Sequence, residues 1–421
     1  MAFSLKTELL PHQKETVEFA IKTKFYCDRS VMGSGKTLSA LATIIRLEVK
    51  TMVVVPPYLV NNWVNDIKKH THLKCTSHYA KYEDGYEVYL VPYTRLNKAM
   101  DIFKNVKAII IDEGHYIKNM KSQRTENFFS GFLKHTPSYF GYLSGTPIKN
   151  RIPDIFTMLA LFSSGPNEPK ILKKYPSYYT FCCRFTNVKQ TPFGDKYVGL
   201  KNPEELRQYV LPFTIKHGEE VLNLPELKET VVAVDYGDDP ELAKDWELYQ
   251  SKGLILNPKS KVDNAVKKAK FTANYCIEAI GNEEGPVVVF SDHLQPLSII
   301  ALEMSGLRVR VIDGSVDVDK RDEYIGMLNN GQLDALLCTY GSASTGYNFT
   351  GSSLMVCNDL TWDPSVLKQA KKRVHRIGSK KNVRIVTVVG STTDEYISNG
   401  LLAKSNDIDR LYGEIDGTKI L

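Results

Sequence analysis

The sequence contains no apolar run of ~20 residues, the length that a helix needs to cross a membrane. It also contains no CxxC pair among its seven cysteines. A disulfide framework and a zinc ribbon are therefore disfavoured, and we expect reduced thiols in a cytosol. Residues 1–15 lack a basic segment followed by an apolar one, so we expect a cytoplasmic protein without a secretion signal or a membrane partner.

The composition is that of a globular chain with more than one domain. Of the 421 residues, 43% are hydrophobic and 24% are charged, which excludes wholesale disorder. The length exceeds that of one ordinary core, so two domains of ~150 to 200 residues are expected. Lysine and arginine outnumber the acidic residues by 54 to 48, and the net charge of +6 permits a polyanionic partner.

Short β-branched segments recur in two series. The first occupies residues 51–56, 87–91, 106–112 and 139–143, and the second occupies residues 287–291, 308–313, 333–338, 354–358 and 383–389. Their lack of alternation is typical of parallel strands covered on both faces. Helical stripes lie between the strands, at Val60, Trp63, Val64 and Ile67 and at Leu38, Leu41 and Ile45. This alternation of strands and helices predicts an α/β fold.

Residues 165–285 lack that buried-strand pattern. They are rich in lysine and tyrosine, and stretches 241–250 and 263–280 are helical in pattern. We therefore predict a first parallel-sheet lobe over residues 1–164, a mostly helical insertion and connector over 165–285, and a second lobe over 286–421.

A glycine-rich loop precedes one of the helical stripes. It consists of Met32, Gly33, Ser34, Gly35, Lys36 and Thr37. Glycines let backbone N–H groups turn around a phosphate, and a helix N-terminus adds a positive dipole end. In such a loop Lys36 reaches the β- and γ-phosphates and Thr37 holds Mg²⁺, so the loop predicts an ATP site. The alternative is a chance glycine turn.

Two carboxylates follow the buried-strand pattern 106–112. Asp112 and Glu113 would lie at the carboxyl edge of a parallel sheet, where ligands bind. Asp112 can bind Mg²⁺ through water, and Glu113 can orient and deprotonate the attacking water, as ATP hydrolysis requires. The alternative for such an acidic pair is a solvated strand end. The position of the pair after the glycine-rich loop favours the catalytic interpretation. The histidines show no metal-ligand spacing, so no metal is expected beyond nucleotide-bound Mg²⁺.

Two arginines occur in the last basic segment, residues 369–378. Arg373 and Arg376 are three residues apart and would share one face of a helix. Two guanidiniums in a different lobe from the glycine-rich loop fit an arginine finger that contacts the γ-phosphate. A solvated basic helix is the alternative interpretation.

Short sequence motifs occur in a defined order along the chain. They occupy residues 10–13, 32–37, 54–63, 91–94, 112–119, 143–150, 289–291, 313–321, 339–349, 359–364 and 369–378. In this order they resemble the motifs of superfamily 2 helicases, and of the Swi/Snf-type translocases within that superfamily. The resemblance covers residues 10–400 and implies two RecA-like lobes with ATP bound between them. Four positions depart from it: Ser30 and Val31 replace an acidic pair, Ser344 replaces a glycine, and Ser379 replaces a glutamine.

The resemblance implies roles for residues at matching positions. Those for nucleotide binding are Gln13, Met32, Gly33, Ser34, Gly35, Lys36, Thr37, Gly346 and Gln369. Those for catalysis are Lys36, Asp112, Glu113, Arg373 and Arg376, with Thr37 and Asp112 at Mg²⁺. Those for DNA contact are Pro57, Tyr93, Thr94, Ser291, Thr339, Ser342 and Trp362. Thr146 would couple the ATP and DNA sites.

The middle segment is similar to a distant Swi/Snf branch. Residues 181–185, 194–199, 202–206 and 215–225 carry this similarity. The branch includes fork-reversing annealing helicases and compact branch-migration helicases of tailed phages. Frequent lysine, asparagine and tyrosine are consistent with an AT-rich phage genome, which would place the protein in the cytoplasm of the host cell.

Basic and aromatic residues interleave over residues 170–197. Basic groups neutralise phosphates and rings stack on exposed bases, so Lys173, Lys174 and Tyr178 are predicted to contact DNA. The alternative is a helical subdomain with aromatic residues in its core and lysines on a solvated rim.

Together these patterns predict a monomeric, ATP-dependent DNA translocase or helicase. We expect it to remodel branched or forked DNA by fork regression or branch migration. Its contacts would be largely independent of base sequence, because phosphate contacts position a protein without reading bases. One alternative is a duplex translocase that displaces proteins without unwinding DNA. Another is a DNA-binding scaffold with an inactive ATPase, against which Lys36, Asp112, Glu113 and Arg376 argue.

Overall fold

The structure is a computed structural model that describes residues 3–166, 170–191, 194–235, 258–343, 347–379, 381–390 and 392–413. It divides into two compact units. The first unit contains the described residues of Met1–Leu222 and Asn406–Asp416, and the second contains those of Asn223–Ser405. This division differs from the predicted boundaries, because residues 165–222 group with the first unit and residues 258–285 group with the second.

A parallel sheet forms the centre of the first unit. The strands of this unit are β1 (Phe25–Asp28), β2 (Thr51–Val55), β3 (Cys75–Thr76), β4 (Val88–Pro92), β5 (Ala108–Asp112), β6 (Tyr139–Leu143), β7 (Asn187–Thr191), β8 (Gly194–Val198) and β9 (Thr214–Ile215). Seven of them are ordered β3-β4-β2-β5-β6-β1-β9, and every pairing between them is parallel. Met52 and Val54 pack in one apolar cluster, whereas Val53 and Val55 pack in another. The sheet is therefore covered on both faces, as predicted.

Helices cover this sheet. They are α1 (Pro11–Thr23), α2 (Lys36–Leu47), α3 (Val60–His70), α4 (Met100–Asn105), α5 (Gln123–Lys134), α6 (Phe156–Phe162), α7 (Ile171–Lys174), α8 (Tyr178–Phe185) and α9 (Pro203–Val210). Short 3₁₀ turns occur at Pro57–Leu59, Tyr93–Lys98, Gly114–Ile117, Ile152–Ile155, Leu211–Phe213 and Glu219–Val221. Both predicted apolar stripes face the core, since Leu41 of α2 and Trp63 and Ile67 of α3 are buried.

The second unit contains another parallel sheet. Its strands are β10 (Leu227–Ala233), β11 (Val287–Ser291), β12 (Val309–Ile312), β13 (Ala335–Thr339), β14 (Leu354–Cys357) and β15 (Val383–Val389). The order is β10-β15-β14-β11-β13-β12, again with parallel pairings. The helices are α10 (Pro258–Gly281), α11 (Leu294–Glu303), α12 (Val318–Asn329), α13 (Tyr340–Ala343), α14 (Pro364–Val374) and α15 (Thr392–Tyr412). The part of α15 from Asn406 onward belongs to the first unit. Two RecA-like parallel-sheet lobes are thus confirmed.

The middle segment contains more strand than predicted. Helix 263–280 lies within α10, but β7 and β8 form an antiparallel hairpin, and β9 and β10 each extend one of the two sheets. β9 has only two residues, and five of the seven side chains of β10 are exposed, so neither shows a buried-strand pattern. The predicted helix 241–250 lies outside the described residues.

A buried ion pair holds the second unit together. Lys268 of α10 and Asp394 of α15 are almost fully buried and lie 2.8 Å apart. Lys268 Nζ also donates to the carbonyl of Val388, at 3.0 Å. Removal of one partner from such a pair typically costs ~3–5 kcal/mol, because a buried charge is left uncompensated.

Among the described helices, none has the length and apolar content of a membrane span.

Candidate active site and nucleic-acid contacts

The glycine-rich loop connects β1 to α2. Gly33 and Gly35 have φ angles of 91° and 83°, in the left-handed region that side chains disfavour. A Cβ atom on Gly35 would lie 2.2 Å from Gln13 Nε2, so a side chain there would have to displace the Gln13 amide in addition to straining the backbone. Because α2 begins at Lys36, the loop presents the N-terminus of a twelve-residue helix.

Lys36 is held above this loop by the loop's own backbone. Its Nζ donates to the carbonyl of Ser30 at 2.7 Å and to that of Val31 at 3.0 Å. Thr37 occupies the first turn of α2. Ser34 Oγ is buried, and the described part of the chain offers it no hydrogen-bond partner. A positive side chain, a helix N-terminus and a buried hydroxyl without a partner therefore fit a phosphate group.

The start of α1 anchors the loop from one side. The Gln13 side chain accepts from the backbone N–H of Leu10 at 2.9 Å and donates to the Ser34 carbonyl at 3.2 Å. His12 Nε2 lies 2.8 Å from the same Ser34 carbonyl. The structure therefore places Gln13 beside the phosphate loop, and its predicted contact with adenine stays a prediction.

A second anchor was not predicted. The backbone N–H of His217 donates to Ser30 Oγ at 3.0 Å, and the N–H of Val31 donates to the His217 carbonyl at 3.0 Å. The N–H of Ser30 also donates to Asp28 Oδ1 at 2.9 Å. Ser30 and Val31, which depart from the family pattern, thus bind a segment far along the chain. Sequence reasoning missed His217 because no local pattern links the two segments.

The two predicted carboxylates follow β5. Asp112 Oδ2 accepts from Trp63 Nε1 at 2.9 Å, and Oδ1 accepts from the backbone N–H of Glu113 at 2.9 Å. Burial, and then the charge of Glu113, raise the pKa of Asp112 to about 6, while Trp63 and Lys36 oppose this shift. The acid pair thus lies within the electrostatic reach of the loop lysine, as predicted.

Glu113 is linked to the predicted coupling residue through hydrogen-bonding groups. Its backbone is left-handed, with φ 51°, and its carboxylate lies 3.3 Å from His115 Nδ1. His115 Nδ1 lies 3.5 Å from Ser144 Oγ, which accepts from the N–H of Thr146 at 3.2 Å. These contacts connect the end of β5 with the end of β6. The coupling role of Thr146 remains a prediction, and His115 is a further residue of the site.

The two arginines are arranged differently from the prediction. Helix α14 ends at Val374, so Arg373 lies in its last turn whereas Arg376 lies beyond it. The two do not share a helix face. Burial, and then the charge of Arg373, lower the pKa of Arg376 to about 10. Arg376 donates to Asn348 Oδ1. Gln369 is buried in α14, and Gly346 lies outside the described residues.

The residues expected to contact DNA fall into two groups. Pro57, Thr94 and Lys173 are exposed, and Trp362 is half-buried. Tyr93 and Ser291 are buried and have internal partners: Tyr93 OH donates to the Asp112 carbonyl at 2.9 Å, and Ser291 Oγ donates to Asp359. Both side chains therefore stabilise the ends of strands. Their contacts with DNA stay predictions.

The predicted serine and threonine contacts of the second unit also have internal partners. Ser342 is buried, and its Oγ donates to the Ile312 carbonyl at 2.9 Å. Thr339, which is half-buried, donates to Ser342 Oγ at 2.9 Å. The backbone carbonyl of Trp362 accepts from Lys404 Nζ at 2.7 Å. Their roles at DNA stay predictions, and the Ser342 hydroxyl is the least accessible of the three.

The basic and aromatic segment packs mainly as a subdomain. Phe181 and Phe185 are buried, and the Tyr178 ring makes edge contacts with Phe156 and Tyr197 at 5.6 and 5.8 Å. Most of these aromatic residues therefore belong to the core, which was the alternative interpretation. Tyr178 is only half-buried, and its predicted stacking on bases stays untested.

Two known protein-family models match this chain. The family model of the SNF2-related domain matches residues 12–279, more than half of the chain. The model of the helicase conserved C-terminal domain matches residues 269–378. The chain therefore belongs to the SNF2-related family. This confirms the predicted Swi/Snf-type family.

Two curated relatives illustrate the similarity. The SWI/SNF-related matrix-associated actin-dependent regulator of chromatin subfamily A-like protein 1 of Drosophila melanogaster is 26% identical over 97% of this chain and 56% of its own length. The human DNA annealing helicase and endonuclease ZRANB3 is 25% identical over 96% of this chain and 40% of its own length. This chain thus spans about half, or less, of these relatives. A solved Sulfolobus solfataricus SWI2/SNF2 ATPase core in complex with dsDNA shares 20% identity, covers 98% of both chains and has a TM-score of 0.46.

Proposed function

We propose that this protein is an ATP-dependent DNA translocase that remodels branched or forked DNA. The observation that carries the proposal is the assembled site of the first unit. There Lys36, the N-terminus of α2 and the acid pair Asp112 and Glu113 lie around one loop. ATP hydrolysis requires these groups together, a phosphate-binding loop beside a metal-binding acid and a base for water.

Each of these residues has a separate task. Lys36 and the backbone N–H groups at the start of α2 would bind the phosphates, and Thr37 and Asp112 would hold Mg²⁺ through its water shell. A bound Mg²⁺–ATP supplies the phosphoanhydride bond that is hydrolysed. Glu113 would accept a proton from the attacking water, and His115, 3.3 Å away, would fix the orientation of the carboxylate. Arg376 and Arg373 would serve as the arginine finger that contacts the γ-phosphate.

The DNA task rests on the relatives. One relative is named a SWI/SNF-related regulator of chromatin and another a DNA annealing helicase and endonuclease. Both match nearly all of this chain. We therefore propose that movement on DNA here serves fork regression or branch migration, with contacts mainly to phosphates. We further propose that the protein acts as a monomer, and that it is phage-encoded and works in replication, recombination or repair in the host cytoplasm.

ATPase measurements with matched DNA substrates test the proposal. ATP turnover should be stimulated more by a four-way junction or a fork than by linear duplex of the same length and sequence. The Lys36→Ala variant serves as the control for contaminating activity and should show no stimulated turnover. Equal stimulation by linear and branched DNA would instead support a duplex translocase that displaces proteins. DNA binding without any turnover would support the inactive scaffold.

A further inference from the structure

Positive charge is concentrated in one segment of the first unit. Residues 170–201 contain seven lysine and arginine side chains and one acidic side chain, Asp195. This excess of six positive charges equals the net charge of the whole chain. The rest of the sequence therefore sums to zero net charge, although residues 364–384 of the second unit form another basic segment, with eight lysine and arginine side chains and no acidic one. Within the first unit, residues 170–201 are a segment to which a polyanion would be attracted.

Two of these cations are already neutralised within the fold. Glu205 of α9 accepts from Lys174 Nζ at 2.8 Å and from Arg184 Nε at 2.8 Å. Tyr175 OH donates to the same carboxylate at 2.7 Å. Hydrogen bonds from Lys174 and Tyr175 lower the pKa of Glu205 to about 2, so it is ionised at neutral pH. The Lys174 and Arg184 pairs therefore stabilise the subdomain and offer little unmatched charge.

The hairpin of β7 and β8 carries two cations of a different kind. Lys189 and Lys196 are directly opposite each other in the antiparallel register, and both are exposed. Among the described residues, no carboxylate lies within ion-pairing distance of either ammonium group. Like charges placed directly opposite each other destabilise a hairpin, so this pair is unfavourable in the unbound protein.

The packing of the hairpin fixes which face these lysines occupy. Side chains alternate between the two faces of a strand, so the neighbouring pair Val188 and Tyr197 lies on the other face. The Tyr197 ring contacts Tyr178 of α8, at 5.8 Å between ring centroids. The Tyr197 face is therefore the packed one, and the face with Lys189 and Lys196, the hairpin lysine pair, is directed to solvent.

We propose that the hairpin lysine pair binds the phosphate backbone of DNA. This inference rests on the proposed DNA translocase function and adds a contact surface that the family motifs do not contain. Opposed Cβ atoms in a hairpin lie ~4.5–5.5 Å apart, and phosphates succeed one another every ~3.4 Å along one strand of a duplex. Two flexible lysine side chains on one face can therefore contact neighbouring phosphates, and DNA relieves their mutual repulsion.

The test is a salt titration of DNA binding, with Lys189→Ala/Lys196→Ala against the unaltered protein. Each phosphate contact contributes ~0.9 to the slope of log K against log salt for duplex and ~0.7 for a single strand. The double variant should therefore flatten the slope by up to ~1.8 on linear duplex and by up to ~1.4 on single-stranded DNA. The Lys189→Arg/Lys196→Arg variant keeps both charges and should restore the original slope.

The control is Lys121→Ala/Lys134→Ala, which removes two exposed lysines of the same unit outside the basic segment. It should leave the slope unchanged. A steep slope in the unaltered protein that persists in the hairpin variant would overturn this inference and leave the translocase function intact. An unaltered protein that shows no salt-dependent DNA binding would instead overturn the proposed function itself. The thermal midpoint of the hairpin variant should not fall, because the change removes a repulsion.

Discussion

The acid pair of the first unit and the arginine pair of the second unit show the same electrostatic arrangement with opposite signs. Burial and the charge of Glu113 raise the pKa of Asp112 to about 6. Burial and the charge of Arg373 lower the pKa of Arg376 to about 10. In both places two like charges are held together in a partly desolvated position, so the charged form of each pair is disfavoured.

The ion pair Lys268–Asp394 of the second unit shows what a purely structural arrangement of charge is like. There a buried cation and a buried anion lie 2.8 Å apart and compensate each other. Asp112 and Arg376 have no such partner: among the described residues, neither forms a salt bridge with a side chain of opposite charge. We propose that ligands supply the opposite charges, Mg²⁺ for Asp112 and a phosphate for Arg376.

Among the predicted changes, removal of Arg376 should have the largest effect on ATP turnover. Arg376→Ala should lower ATP turnover by roughly 10³-fold or more, the range found for arginine fingers, because the charge on the transferring phosphate loses its stabilisation. ADP affinity should change little, since ADP has no γ-phosphate. The measurement is steady-state ATPase kinetics with a separate ADP titration.

The matched control for this change is Arg308→Ala. Arg308 is exposed and paired with Asp334 in the same unit, at 2.6 Å, and turnover should not depend on it. A parallel loss of ADP affinity in Arg376→Ala would mean that Arg376 stabilises the fold around Asn348 and does not contact the γ-phosphate.

Neutralisation of Glu113, the proposed catalytic base, should have the second-largest effect on ATP turnover. Glu113→Gln should reduce turnover by ~10² to 10⁴-fold, the contribution of one positioned proton acceptor. Nucleotide binding should persist, because Glu113 acts on water, whereas Lys36→Ala should lose binding as well as turnover. Equilibrium binding of a labelled ATP analogue separates the two variants. Turnover of Glu113→Gln close to that of the unaltered protein would exclude this residue as the base.

The fold was predictable where burial is continuous along the sequence. The nine segments predicted from β-branched runs all correspond to strands, β2, β4, β5 and β6 in one sheet and β11 to β15 in the other. β1 was missed because its four residues, Phe25–Asp28, mix rings with a cysteine and an acid. β9 and β10 were missed because one is very short and the other is exposed at a sheet edge.

The site was predictable where one local motif contains the chemistry. The loop residues, Lys36 and the acid pair are where the motifs indicate. The contacts of Trp63 with Asp112 and of His217 with Ser30 join residues from distant segments, and no local pattern reports them. The shared helix face of the arginines was wrong because α14 ends at Val374, before Arg376.

The raised pKa of Asp112 makes the comparison of the two pairs testable by pH. Because the folded-state pKa of about 6 exceeds the ordinary value of 3.8, the unbound protein should lose stability as the pH rises from about 4 to about 6. Mg²⁺-dependent nucleotide binding should change in the opposite sense, because the metal ligand must be ionised. Affinity should be about tenfold lower at pH ~5 than at pH ~7.

The control for this pH dependence is Asp112→Asn, which cannot titrate at this position. Its nucleotide affinity should be low and should retain only the pH dependence of the nucleotide itself. The ratio of the two affinities therefore isolates Asp112. A ratio that stays constant across this pH range would mean that Asp112 is ionised throughout, and that its burial does not affect the metal site.

The smallest expected effect concerns the hydroxyl of Ser34, the uncharged counterpart of the two charged pairs. Ser34 Oγ is buried and has no hydrogen-bond partner among the described residues, so Ser34→Ala removes no bond observed there and should not lower the thermal midpoint of the unbound protein. If a phosphate oxygen is its partner, nucleotide affinity should fall by ~3- to 10-fold, the weight of one hydrogen bond. Ser39→Ala is the matched control, because Ser39 is also buried in α2 but its hydroxyl already lies 3.5 Å from the Gly35 carbonyl. Equal nucleotide affinities for Ser34→Ala and Ser39→Ala, measured by calorimetry, would show that the loop binds phosphate through its backbone and Lys36 without this hydroxyl.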